Sequence, residues 1–408
     1  MKILFVGDGS MTNPASGSEM VLNRQVKGLE EMGISVGAIT RLNGSGAGVE
    51  IQSLRERNTK KICYYADPTA TFRFIRSTLQ YPPAIFSKYF RTSPPSAAVC
   101  HQPFTCFSLL RSEKLRNVPY IYVFHSPNHE EYRIAKRRHI SPLFWAQLLM
   151  RKAVERICLE KASVVMVLSA FMQHKVIDIH RILPQQIVIN PGGVDLSRFH
   201  PISERNQTKK ELALPDKTVH LLTVRNLEAR MGLHNLLKAI RLLKERHTPI
   251  HLTICGDGNQ KQKLEELSYK LRLDSDAKMV GFVRADLLPK YYAAADLFIL
   301  PTEHLEGFGL VTVESMACGT PVLGTPVGGT KEILSKFEHR LLFKSSTPEA
   351  IAEGITMSIE TYYNDKKNYE QLRLRCREHV EKNYSWQRHV DQLKSIIDDL
   401  IETENPKK

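Results

Sequence analysis

Short apolar runs alternate along the chain with longer stretches in which apolar residues recur every three or four positions. In the first half the runs predict strands at 2–6, 34–39, 97–100, 119–124, 163–168 and 186–190. Leu22, Val26 and Leu29 share one face of a helix predicted over 18–32, and a second helix is predicted over about 142–161. The second half repeats the rhythm, with strands near 219–224, 250–255, 278–282, 296–300 and 321–323 and helices near 232–246, 259–271, 286–294, 309–318 and 348–360. Strands that alternate with helices predict an α/β fold with parallel sheets covered on both faces. Two such series predict two doubly wound, Rossmann-like domains, with ligands at the carboxyl ends of the strands. The break at Pro191-Gly192-Gly193 and the polar stretch 200–217 set the expected domains at 1–195 and 196–385. Trp386, Val390, Leu393 and Ile397 then stand at helical spacing, so 386–408 is expected to be a last helix with a frayed tail.

The length of 408 residues agrees with two domains, and 42% hydrophobic with 25% charged residues marks a globular chain. No apolar run approaches the ~20 residues that span a bilayer. The first run, Met1 to Val6, meets Gly7-Asp8-Gly9 too early to be a secretory signal. Seven scattered cysteines without a Cys-x-x-Cys pair argue against a zinc knuckle or a disulfide framework, and a reducing cytoplasm is the expected compartment. The net charge of +14 is uneven: residues 1–195 carry 25 Lys and Arg against 14 Asp and Glu, residues 196–408 carry 32 against 29. The first half therefore suits an anionic partner, such as a membrane surface or a phosphorylated acceptor, or it carries a plain solubility surplus. No nucleic-acid module is recognisable, and no nucleic-acid partner is expected.

The chemistry concentrates at residues 303–314, Glu-His-Leu-Glu-Gly-Phe-Gly-Leu-Val-Thr-Val-Glu. Gly307-Phe308-Gly309 lies between an apolar run stopped by Pro301 and a stretch of helical composition, which reads as strand, glycine loop, helix. Such a loop gathers free backbone N–H groups at the positive end of a helix dipole and favours an anion. Glu306 in the loop and Glu314 in the helix could then reach either side of a diphosphate, and a nucleotide-sugar is a ligand of that form. Arg225 and Arg230 follow the strand 219–224, where a guanidinium can grip phosphate or form a surface salt bridge. Gly256 and the group Gly281, Phe282 and Val283 also follow strands, so four strand ends converge on one sheet edge. In the first half, Gly7-x-Gly9 lacks the third glycine of a dinucleotide fingerprint, because Thr12 stands there. The turn Ser16-Gly17-Ser18 can offer N–H groups to a phosphate or can simply cap a helix. His125, at a strand end, can bond a hydroxyl, move a proton or serve as a loop residue, and His101 is placed alike.

Together these residues resemble glycosyltransferase family 4, whose members are retaining enzymes of the GT-B fold. The resemblance rests on Glu306-Gly-Phe-Gly-Leu-Val-Thr-Val-Glu314, flanked by Leu287 to Asp296 and by Gly319-Thr320-Pro321-Val322 and Val327-Gly328-Gly329. Asn190-Pro191-Gly192-Gly193-Val194-Asp195, Ile254 to Gly258 and Val280 to Val283 add to it. It is specific over about 160–335 and looser over 1–160. It implies two domains facing across a cleft, with the last helix packing back on the first, acceptor-binding domain and the second domain holding the donor. It implies that Glu306 contacts the donor sugar, that the backbone of Phe308, Gly309 and Leu310 holds the diphosphate, and that Glu314 binds the ribose. Arg225 would neutralise the leaving group, Gly281, Phe282 and Val283 would face the base, Gly17 would approach the diphosphate, and His125 would lie near the transferred sugar. Glu306, His125 and Arg225 are thus the expected catalytic residues.

No metal and no cofactor are implied; the donor, a UDP-, GDP- or ADP-linked sugar, is a substrate, and the acceptor is a sugar or a lipid-linked hydroxyl of an envelope polysaccharide or glycoconjugate. The family usually carries a lysine where Met231 stands, and Arg230 is expected to replace its charge; Ser16 stands where a glycine is common. Glu306→Gln and Arg225→Ala are expected to abolish transfer and leave thermal stability nearly intact. The segments 133–152 and 72–91, rich in aromatic and basic residues, suit attachment to an anionic membrane at the cytoplasmic face or burial in the domain core. Two other functions fit the same fold: a nucleotide-sugar hydrolase or epimerase, and a binding protein without catalysis.

Overall fold

The uninterrupted apolar run after Lys2 needs cover on both faces, and in the computed structural model it obtains it. The structure describes residues 1–9, 16–43, 54–56, 59–66, 71–136, 141–215 and 217–404. They fall into two compact units, Met1–Gly192 with Trp386–Lys408, and Gly193–Ser385. The first unit holds an eight-stranded sheet formed by β1 (Lys2–Gly7), β2 (Ser35–Asn43), β3 (Leu54–Glu56), β4 (Thr59–Ala66), β5 (Ala97–His101), β6 (Tyr120–Phe124), β7 (Val164–Val167) and β8 (Ile187–Ile189). Its order is β3-β4-β2-β1-β5-β6-β7-β8, parallel throughout except for β3 against β4.

Strand alternation divides the core of this unit into two layers. Leu4 and Val6 point to one layer, with Phe86 and Phe90 from the segment that includes the helix Thr71–Tyr89. Ile3 and Phe5 point to the other, with Leu22, Val26 and Leu29 of the helix Gly17–Glu31 and Val390, Leu393 and Ile397 of the helix Trp386–Glu404. The last helix therefore packs on the first unit. A Cβ on Gly28 would stand 2.5 Å from Val390 Cγ2, so the bare glycine sets how closely the two helices meet.

The aromatics of the first layer decide between the two alternatives for the segment 72–91. Phe74, Phe86 and Phe90 are buried in the core and are not available to a membrane. The Phe72 side chain and Arg137 and Arg138 of the basic cluster lie outside the described residues, as do Ser10 and Thr12 of the first glycine loop.

The second unit holds β9 (Val219–Val224), β10 (Ile250–Cys255), β11 (Ala277–Gly281), β12 (Leu297–Leu300) and β13 (Val322–Gly324), in the order β11-β10-β9-β12-β13 and all parallel. Both units are thus Rossmann-like α/β sheets. Parallel strands place every carboxyl end on one edge, and the segments that begin at Arg225, Gly256, Phe282 and Pro301 leave that edge together.

Candidate functional site

In the second unit the glycine loop turns into the helix Leu310–Ala317 at Gly309, which has φ 93° and supplies no side chain to cap the helix. A Cβ there would lie 2.4 Å from Thr330 Oγ1. The helix N-terminus is therefore left to its own N–H groups, the arrangement that favours an anion. Gly328, with φ 63°, lies against the other side of the loop: a Cβ would come within 2.0 Å of the Glu306 carbonyl oxygen, which accepts the Gly329 N–H at 3.0 Å. The backbone of Glu306 is fixed by these two glycines.

Its side chain is fixed as well. Arg225 Nη2 donates to Glu306 Oε2 at 2.7 Å, and the Thr302 hydroxyl donates to the same oxygen at 3.2 Å. Both Arg225 and Glu306 are buried. The Arg225 backbone N–H bonds the Cys255 carbonyl at 2.9 Å, which ties the end of β9 to the end of β10. Arg225 Nε is buried without a hydrogen-bond partner among the described residues, so the guanidinium keeps donor capacity beyond the ion pair. Met231, at the position where a lysine was expected, is buried with its sulfur against Arg225 Nη2. A neutral thioether there spares Arg225 the repulsion a second cation would bring. Arg230 donates to the Leu305 carbonyl at 2.7 Å, so its charge sits on the loop that carries Glu306.

Glu314 is buried on the helix, and Tyr292 donates its hydroxyl to Glu314 Oε2 at 2.9 Å. Burial, reinforced by the Glu314 charge, pushes the Tyr292 phenol well above its ordinary range, so it remains a donor. Gly256 approaches the Arg225 carbonyl too closely for any side chain and bonds Gly281 through its N–H. Phe282 is 75% exposed at the end of the edge strand β11, and Val283 beside it is half-buried. The Phe308 side chain is buried against Tyr384, with ring centroids 5.7 Å apart, which leaves its backbone for the loop. Leu310 opens the helix and is half-buried.

In the first unit, Gly17 opens its helix behind a capping box: Ser16 Oγ accepts the Glu19 N–H, and Glu19 accepts the Ser16 N–H at 3.0 Å. The Ser16 N–H is thus engaged by a carboxylate. Asp8, at the end of β1, accepts the N–H groups of Phe104 and Thr105 at 2.9 Å and caps the helix Pro103–Arg111.

His125 belongs to a relay that sequence reasoning found only in part. His125 Nε2 lies 2.9 Å from His101 Nδ1, His101 Nε2 lies 2.9 Å from Gln25 Oε1, and Gln25 Nε2 lies 2.9 Å from His389 Nε2. His389 Nδ1 lies 2.8 Å from the Pro191 carbonyl oxygen. A carbonyl only accepts, so the polarity of the whole chain is fixed from this end. His389 carries its proton on Nδ1, Gln25 donates to His389, His101 donates to Gln25, and His125 donates through Nε2. His125 Nδ1 is left as the acceptor nitrogen. Burial, and then the neighbouring His389, lower His125 to about 3; burial alone lowers His389 to about 4, with the bond to Pro191 opposing it. Burial thus favours neutral His125 at pH 7, with Nδ1 as its acceptor nitrogen. Gln25 and His389 carried no local signal, because they meet His101 only where two helices pack together on one face of the sheet.

Two family models match this chain. One described as Glycosyltransferase Family 4 matches residues 15–198, and one described as Glycosyl transferases group 1 matches residues 204–382. An uncharacterized glycosyltransferase of Methanocaldococcus jannaschii is 30% identical over 198 residues, 48% of this chain and 49% of that protein. The chain spans about half the length of the curated relatives it matches. Among solved structures, sucrose-phosphate synthase from Thermosynechococcus elongatus superposes with a TM-score of 0.81 at 20% identity, covering 98% of this chain and 99% of that one. The Anabaena protein HepE in complex with UDP-glucose gives 0.71 at 19% identity, covering 98% and 100%. These likenesses fix the fold.

Proposed function

Since the chain belongs to the family 4 and group 1 glycosyltransferases, we propose that it transfers a sugar, with retention, from a nucleoside-diphosphate sugar to a hydroxyl acceptor. The observation that carries this reading is the buried Arg225–Glu306 pair at 2.7 Å beside a helix N-terminus capped only by Gly309. A sugar diphosphate presents hydroxyls and an anion side by side, and the pair offers a carboxylate for the first and a guanidinium for the second. The N–H groups at Phe308, Gly309 and Leu310 and the charges of Arg225 and Arg230 hold the diphosphate. Glu314 takes the ribose hydroxyls, with Tyr292 fixing one of its oxygens. The bond from the anomeric carbon to the phosphate oxygen breaks through an oxocarbenium-like state, and the acceptor oxygen bonds the same face of that carbon. The acceptor proton passes to the departing phosphate oxygen, so no protein base is required. Arg225 and the helix terminus stabilise the charge as it develops. Gly17 is assigned to the diphosphate and His125 to the acceptor, where its Nδ1 lone pair would orient a hydroxyl.

HepE, a structural relative, is described as bound to UDP-glucose, which supports a uridine diphosphate sugar as the first donor to try. A lipid-linked acceptor is favoured by the helix Pro142–Glu160, which exposes Leu143, Trp145 and Leu149, and by the exposed Arg133 and Lys136 that precede it in the chain. No described helix is long and apolar enough to cross a membrane, so attachment would be peripheral.

The test is a panel of nucleotide-sugars with and without acceptors, run on the wild type, Glu306→Gln and Arg225→Ala. Glu306→Gln keeps an oxygen for Arg225 and should retain its fold while losing transfer by roughly 100-fold or more. Arg225→Ala should lose transfer and also melt lower, by about 3–5 kcal/mol, because it strands a buried carboxylate. That amends the expectation of unchanged stability. Wild-type turnover in both variants would remove the assignment, and rapid release of free sugar without acceptor would make the protein a hydrolase.

A further inference from the structure

Outside the site just described, the first unit holds a buried group of three side chains with no part in the reaction. His129 lies in the helix Asn128–Ala135, Glu155 in the helix Pro142–Glu160, and His180 ends the helix Ala170–His180. All three are buried, and one ligand atom from each lies within 4.8 Å of the others. His180 Nε2 stands 3.2 Å from Glu155 Oε2. The Asn128 N–H points at the same carboxylate, at 3.2 Å from Oε2 and 3.3 Å from Oε1. The imidazoles of His129 and His180 meet edge to face, centroids 6.1 Å apart at 86°. Nδ1 of His129 is buried with no hydrogen-bond partner among the described residues, and such an orphaned nitrogen is rare in a finished core and calls for an explanation.

We propose that His129, Glu155 and His180 form a buried structural site for a zinc-type divalent cation. Two imidazoles and a carboxylate are a donor set that zinc and its neighbours in the first transition row accept. Ligand atoms at ~2.0 Å from a tetrahedral zinc stand ~3.3 Å apart, close to the His180–Glu155 separation. The Asn128 N–H orients the carboxylate, as an outer hydrogen bond commonly does for a metal ligand. Water would complete the coordination. The cation would join three helices directly behind the segment Ser126-Pro127-Asn128 that follows His125. Its role is therefore to hold that loop, while the transfer chemistry proceeds without it.

The experiment uses the full chain, stripped of metal with a chelator and dialysed. Zn2+ is titrated calorimetrically, melting is followed with and without Zn2+, and Co2+ is added to read its visible absorption. One Zn2+ per chain is expected, with a rise of several degrees in Tm, a tetrahedral-type Co2+ spectrum, and no comparable response to Mg2+. Glu155→Gln, which keeps an acceptor for Asn128, and His129→Phe, which keeps the volume, should each weaken Zn2+ roughly tenfold or more. If one variant fails to fold, the other and the wild-type Co2+ spectrum decide. The absence of stoichiometric Zn2+ binding by the stripped wild type would overturn the proposal. So would unchanged affinity in a folded variant, since the ion would then sit on other histidines.

Discussion

A histidine that ends a parallel strand has two nitrogens and no intrinsic preference between them, and the relay supplies that preference from a distance. His389 stands 264 positions after His125 in the chain, yet its bond to the Pro191 carbonyl dictates which His125 nitrogen carries the proton. His389→Phe tests this, because the ring is retained and only the polar chain is cut. In the wild type, 15N NMR should find His125 neutral with its proton on Nε2. In the variant the Nδ1–H form should appear, acceptor KM should rise more than kcat falls, and stability should drop by about 1–3 kcal/mol for the stranded Gln25 amide. A wild-type His125 protonated on Nδ1 would show that the polarity runs the other way. His389 acts as a positioning residue, and a purely structural role would move the melting temperature without moving the tautomer.

At the scale of elements, the helix Pro142–Glu160 has a buried side and an exposed one, and the exposed side is the proposed membrane contact. Its inner face places Phe144, Val154, Cys158 and Leu159 in the unit, while Leu143 (64% exposed), Trp145 (51%) and Leu149 (66%) face outward. Exposed Trp145 and Leu149, four residues apart on one side of a helix that follows the basic segment at 133–136, suit the interface of an anionic bilayer. Replacing Trp145 and Leu149 together by glutamate should reduce flotation with phosphatidylserine vesicles at low salt by about tenfold or more, and leave stability within ~0.5 kcal/mol because both are exposed. Equal flotation of variant and wild type would place these residues off the membrane. The segment 72–91, by contrast, had looked equally suitable in sequence. Phe74, Phe86 and Phe90 fill the core instead, in or just after a helix, Thr71–Tyr89, that contains Pro82 and Pro83. Proline inside a helix removes a backbone bond and hides the pattern, so local signals argued against the element that tertiary packing builds. Strands β3 and β4 were missed for a related reason, since Thr59-Lys60-Lys61 opens β4 with charge. The strand–loop–helix around Glu306 was legible, because its glycines are required by backbone geometry wherever they occur. The ion pair between Arg225 and Glu306 was not, since 81 residues separate them.

Across the molecule, alternation of strand and helix foretold two Rossmann-like sheets, but it held no information on which unit would be the more sensitive to acid. The buried histidines supply that. In the first unit His101 is held well below its ordinary value, His125 at about 3 and His389 at about 4, each chiefly by burial. In the second unit His220 is held at about 4 for the same reason. A folded-state pKa below the unfolded one means that the unfolded chain binds more protons between them. The resulting stability is complete above about pH 6.5, the unfolded value, and is lost as pH falls toward 4. For a histidine at about 4 the loss from pH 7 to pH 5 is about 2 kcal/mol. The first unit, with more such groups in one hydrogen-bonded chain, should weaken first. Both tryptophans, Trp145 and Trp386, lie in that unit, so their fluorescence reports on it alone. Acidification from pH 7.5 to pH 5 should lower the melting temperature seen by tryptophan fluorescence further than that seen by far-UV circular dichroism, and His389→Phe should narrow the gap. If the two probes shift together at every pH, the histidine relay does not govern the acid response of the first unit.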